Sequence, residues 1–369
     1  MNVAATFTHP RSSGSFLATL VLAAGVATAF WFAYTDPSRA FAAMLTAAVF
    51  SVSLCLGAGI LVATQGAAGA TWWYPIQSVA LLLSRTLVVP AVTLAIVFVF
   101  GLSALYPWAR PDVVEASPLL QDKAAWLNVP FFLARAIVVF LIWFGALAAL
   151  RKNPRARQSS IVFLVLLAPS LSIASWDWIM SLEPEWFSTM YGVYLFSGAF
   201  LGGIAAVTLL SLYLEGTSLL PVLDESRRHD LGKLLFAFSA FWAYIWFCEA
   251  MLIWYANLPE ETTHFAARLS SGWTLLFWLN PILSFVVPFV FLMSVSAKKH
   301  PQTLLHVAAC VLVGRWLDVY LLVWPSTGPF TRFPVLALLT TAALVAAMAL
   351  VFKRYALTSQ SQRTHGGDN

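Results

Sequence analysis

The sequence predicts an all-α integral membrane protein of about ten transmembrane helices, and three observations carry that reading. Sixty per cent of the 369 residues are hydrophobic and only 10% are charged. Mean hydropathy is +0.80. Apolar runs longer than about 18 residues, enough helix to cross a bilayer core, recur from end to end. A net charge of +5 and a pI near 9.2 would suggest nucleic acid for a soluble chain. Here the basic residues sit in short loops between apolar runs, where they report orientation, so no nucleic-acid partner is expected.

Taken in order, the spans fall at roughly 15–34, 41–64, 77–103, 128–150, 160–182, 187–214, 232–257, 271–297, 302–325 and 333–353. The first run follows only Arg11 and lacks a clear small-residue cleavage site, so it is read as a retained helix. Alternate loops differ in charge. Thirteen Lys and Arg lie on the N-terminal side (Arg11, Arg151, Lys152, Arg155, Arg157, Arg227, Arg228, Lys233, Lys298, Lys299, Lys353, Arg354 and Arg363). Five lie on the other side, namely Arg39, Arg110, Lys123, Arg268 and Arg332. This bias predicts that both termini are cytoplasmic. The loop at 104–127, with Tyr106, Trp108 and Trp126, is expected to lie along the outer interface. The loop at 215–231, mixed in charge, is expected to be a solvated connector. Residues 1–357 then form one polytopic domain, and the Ser-, Gln- and Gly-rich stretch 358–369 is expected to be a disordered tail.

The informative residues are those that do not belong in hydrocarbon. Arg85, Arg135 and Arg315 stand inside spans against Asp177, Glu249 and Asp318. Each costs about 2.5–3.5 kcal/mol at mid-membrane, so three bases facing three acids imply mutual pairing. Arg315 and Asp318 are three apart on one helix and share a face. Asp177 sits between Trp176 and Trp178, about six residues or roughly 9 Å inside the acidic turn at Glu183 and Glu185. Glu249 has Trp246 about one turn before it, with Tyr244 and Tyr255 on the same span. A lone carboxylate with aromatic walls suits a planar, amphipathic ligand that must release a proton. The same residues also suit structural ion pairs and an interfacial aromatic belt.

Other chemistry lacks its residues. Cys55, Cys248 and Cys310 are isolated in apolar runs, with no CxxC and no metal-ligand spacing. Only His306 lies in a span, whereas His9, His229, His264, His300 and His365 lie in loops or tails, so neither haem nor an iron–sulfur cluster is expected in this chain. No GxxxxGK[ST], GxSxG or HExxH occurs. Pro90, Pro169, Pro281 and Pro288 fall inside spans and predict kinks.

The runs SWDWIMSLEPEWFSTMYGVYLFSGAF at 175–200, FWAYIWFCEAMLIWYANLPEET at 241–262 and GRWLDVYLLVWP at 314–325 resemble the second large membrane subunit of alternative complex III. That is a bacterial quinol:cytochrome c or quinol:oxidase oxidoreductase, and the subunit belongs to the NrfD-like, or polysulfide-reductase membrane-subunit, family. The resemblance covers most of residues 40–350. It implies two four-helix bundles plus two peripheral helices in the bacterial inner membrane, with no redox centre in this chain. It also implies a related NrfD-like membrane subunit, a periplasmic iron–sulfur subunit and haem c subunits as partners, and menaquinol or ubiquinol as the quinol. On this resemblance Asp177 and Glu249 are proton acceptors or relays. Arg135, Arg315 and Asp318 are their charge partners, and Trp176, Trp178 and Trp246 wall a quinol pocket. Two other readings remain open on the residues alone: a secondary transporter, and a purely structural anchor for a redox complex.

Overall fold

A computed structural model describes residues 12–365 except 218, 271, 329 and 331–333. The sequence expectations for His9, Arg11, Arg332 and 366–369 lie outside the described residues. Ten helices among the described residues are long and apolar enough to cross a membrane. They are α1 Ser12–Thr35, α2 Pro37–Ala68, α3 Gln77–Phe100, α4 Val129–Lys152, α5 Arg157–Trp178, α6 Tyr191–Leu214, α7 Glu225–Ala256, α8 Thr274–Phe291, α9 Pro301–Val323 and α10 Val335–His365.

The helices sort into two groups around α2. Helices α2 to α5 pack as one bundle and α6 to α9 as a second, while α1 and α10 pack on each other and on α2. The bundles join where α2 crosses α6, and glycine makes that crossing possible. A Cβ on Gly203 would stand 2.2 Å from the Gly57 carbonyl carbon, so neither position accepts a side chain. Lipid offers no hydrophobic drive for helices to associate, so close backbone approach of this kind supplies dispersion contact instead. Gly25 lets α1 approach Ala343 of α10 in the same manner.

Three expected boundaries shift, each for a local reason. Helix α7 begins at Glu225 and not near 232, because the Asp224 side chain caps it by accepting from the Arg227 N–H at 2.8 Å. The loop before it is not simply a solvated connector: Leu220 and Leu223 are buried, Glu215 pairs with Arg228 at 3.2 Å, and Arg227 Nε donates to the Trp72 carbonyl. Helix α10 continues to His365, through the first eight residues of the stretch expected to be a disordered tail.

The prolines act differently. Helix α3 breaks after Arg85, and Pro90 occupies the first turn of its second half, where a backbone N–H has no partner to lose. Helix α5 runs through Pro169. In α8, Pro281 and Pro288 bracket a π-helical turn, Ile282–Val286. Each proline deletes an intrahelical bond, and the wider turn absorbs both losses.

The segment 101–128 folds over one end of the first bundle as short helices. It packs inward and does not merely lie on the interface. Tyr106 and Trp108 are buried against Phe132, and the Tyr106 hydroxyl donates to the Trp178 carbonyl at 2.7 Å.

Candidate functional site: two buried acid clusters

The first cluster ties α4 to α5. Asn128 caps α4 through its side chain, which sets Arg135 on the second turn, opposite the last turn of α5 where Asp177 lies. Arg135 Nε donates to Asp177 Oδ2 at 2.6 Å and Nη2 to Oδ1 at 3.0 Å, a bidentate pair. Trp126 Nε1 donates to the same Oδ1 at 3.0 Å, and the guanidinium lies over the Trp126 and Phe131 rings at 4.1 and 4.2 Å. Both carboxylate oxygens are occupied, and Asp177 is 1% exposed. Trp178 points into the first bundle, boxed by Phe98, Phe140 and Trp143 with ring centroids 5.3–5.4 Å away. Trp176 is half-buried.

The second cluster draws on all four helices of the second bundle. Arg315 and Asp318 pair on α9 at 2.5 Å, as their spacing predicts. Asp318 Oδ1 also accepts from the Tyr194 hydroxyl of α6 and from Asn280 Nδ2 of α8 at 2.6 Å. Ser284, on the π-helical turn, donates to Asn280 Oδ1 at 3.2 Å. From α7, the Trp242 ring lies 4.2 Å from the Arg315 guanidinium. Arg315 Nε and Nη1 are buried with no acceptor, and Nη1 abuts the backbone of Gly198, where a Cβ would come within 3.3 Å.

Glu249 belongs to this second cluster and differs from Asp177. It is 6% exposed, and its Oε1 has no hydrogen-bond partner among the described residues. Ser188 lies beside the carboxylate, and Asp318, Arg268, Tyr191 and Tyr194 are within its electrostatic reach. Trp246 packs one turn away against Trp242 and Phe277. The structure therefore brings Glu249 within electrostatic reach of Asp318 and Arg268, while Asp177 keeps to Arg135 and Trp126.

The expected three-against-three pairing is corrected at this point. Arg135 takes Asp177 and Arg315 takes Asp318, but Arg85 does not take Glu249. Arg85 closes the first half of α3, is exposed, and lies 5.4 Å from the Tyr355 ring.

Above Glu249 sits a group that the sequence reading passed over. Glu183 Oε1 accepts from Arg268 Nη2 at 2.8 Å, and Glu183 Oε2 lies 2.7 Å from His264 Nδ1. Arg268 Nε also donates to the Leu321 carbonyl at 2.9 Å, satisfying one of the free carbonyls that end α9. Trp186 stacks on the His264 ring at 3.8 Å. Burial alone would push the Glu183 carboxyl up, but Arg268 and His264 outweigh it and hold it at about 2. Burial, helped by Arg268 and opposed by Glu183, lowers His264 to about 4. These residues looked like loop charges in sequence because the short helix Pro259–Arg268 that carries two of them has no apolar run to mark it. Asn280 was more legible, being an amide in mid-span directly before a proline.

A cavity of about 40 Å³ separates the bundles, lined by Ser53, Trp143, Ser175, Trp178, Gly198, Arg315 and Asp318 among others. That is room for a few waters and well below the 300 Å³ or so of a typical cofactor pocket. Among the described residues no three His, Cys, Asp or Glu side chains converge as a metal site needs. The chain matches no protein-family model and no curated protein.

Proposed function

We propose that the chain is a proton-conducting membrane subunit of a bacterial respiratory quinol:cytochrome c, or quinol:oxidase, oxidoreductase. Its support is the sequence resemblance together with one structural observation: a buried carboxylate with a free oxygen, Glu249, set in a run of polar groups through the second bundle. The run passes from Glu183, His264 and Arg268 by Tyr191 and Glu249 to Tyr194, Asp318, Asn280 and Ser284. Quinol oxidation releases a proton from each hydroxyl as electrons leave, so it needs an acceptor within the membrane and a route away from it. A carboxylate not engaged by a cation is suited to bind and pass on that proton. Asp177, locked to Arg135 and Trp126, is suited to a fixed charge pair that positions Trp178 and the 101–128 segment. On this reading the redox groups belong to partner subunits: a related membrane subunit, an iron–sulfur subunit and haem c subunits on the outer face. Quinol, menaquinol or ubiquinol, approaches the half-buried Trp176 or Trp246, since Trp178 is boxed in by three rings, and both termini lie in the cytoplasm.

The test is affinity purification of the tagged chain from its native membranes in mild detergent, with haem staining and quinol-dependent cytochrome c reduction on the eluate. Co-purifying haem c subunits and quinol oxidation are expected. A chain that elutes alone and haem-free, and that moves a solute into liposomes, would sink the proposal in favour of a transporter.

A further inference from the structure

Of Arg85, Arg135 and Arg315, Arg85 is the one that the two acid clusters leave over. It lies eight residues into α3, a little over two turns, and is exposed. Val88, Val92, Ile96 and Val99, further along the same span, are exposed apolar residues, 41%, 56%, 40% and 63% open. Such a row on a membrane helix faces acyl chains, so Arg85 heads a lipid-facing stripe. Arg151, at the last turn of α4, is within electrostatic reach of Arg85 and of Tyr355 on α10. No carboxylate among the described residues pairs with Arg85 or Arg151. The surrounding segments 69–85, 151–160 and 348–359 hold seven Lys and Arg and not one acid.

Two guanidinium groups within electrostatic reach of each other at the edge of hydrocarbon, with no carboxylate among the described residues paired to either, favour an anion from elsewhere. The Tyr355 ring, 5.4 Å from Arg85, offsets only part of that need. A guanidinium fork binds phosphate oxygens in pairs, and the apolar row beside it accepts a fatty chain. We propose that α3, α4 and α10 form a binding site for an anionic phospholipid. The phosphodiester lies between Arg85 and Arg151, and an acyl chain lies along Val88 and Val92. This site is independent of the redox reading and would exist in a transporter equally.

Native mass spectrometry of the full chain, released from nanodiscs containing cardiolipin or phosphatidylcholine, tests it. Wild type is expected to hold one cardiolipin through collisional activation and to lose phosphatidylcholine. The double variant R85Q/R151Q is expected to lower cardiolipin occupancy about tenfold, whereas R110Q, on the opposite loop, leaves it unchanged. Circular dichroism separates loss of the site from loss of the fold, and R85K, which keeps the charge, is expected to restore most of the binding. Equal retention by the double variant, or equal binding of phosphatidylcholine, would overturn the proposal. So would complete displacement of the lipid by millimolar inorganic phosphate, which would mark a free-anion site.

Discussion

The two bundles each bury an acid near the same end of the molecule, yet they treat it in opposite ways. In the first, Asp177 accepts three hydrogen bonds from Arg135 and Trp126 and has no oxygen to spare. In the second, Glu249 keeps an oxygen free although it is nearly as buried. Its neighbour Asp318, by contrast, is paired with Arg315. A saturated acid holds helices together, whereas an unsaturated one costs stability, and the proposed function gives that cost a reason, a proton that must come and go.

The strongest way to break this contrast is to remove the cation from the saturated pair. R135Q leaves Asp177 buried and unpaired, and is expected to cost about 3–5 kcal/mol, read as a drop in thermal midpoint of the purified chain. An unchanged midpoint would show that the pair does not hold α4 to α5.

Acid offers a second probe, aimed at the group above Glu249. His264 is lowered from 6.5 to about 4 and Glu183 from 4.5 to about 2, so the folded state binds fewer protons than the unfolded state for both. Their stabilisation is complete above pH 6.5 and is lost as pH falls, first through the histidine window and then through the glutamate window. The histidine share is about 3 kcal/mol at 1.4 kcal/mol per unit. Thermal midpoints measured from pH 7 to 4 are expected to fall, and H264Q to flatten the slope between 6.5 and 4. A parallel slope in H264Q would remove the histidine from the account.

A third probe sharpens the contrast directly. E249Q is expected to keep its thermal midpoint within about 1 kcal/mol of wild type, because the carboxylate it replaces makes no ion pair. On the proposed function, quinol-dependent turnover is expected to fall about tenfold or more. If E249Q melted as early as R135Q, both acids would be structural and the proton reading would fail. The smallest effect belongs to W126F, which removes one of the three bonds to Asp177. It is expected to cost about 1 kcal/mol, with turnover nearly intact.

What the sequence determined by itself is whatever one helix decides alone. Ten spans were legible because crossing a bilayer needs only an apolar run of sufficient length. The Arg315–Asp318 pair was legible because helical geometry puts residues three apart on one face. The tertiary structure decided the rest. Asp177 finds Arg135 across 42 residues, Glu183 finds Arg268 across 85, and Arg85 finds no acid among the described residues. Those outcomes depend on how helices rotate and how closely they approach. Both are set by contacts such as Gly57 against Gly203 and by the π-helical turn that sets Ser284 against Asn280, which itself donates to Asp318. Hydropathy records how apolar a helix is, and not which neighbour its one charged side chain will meet.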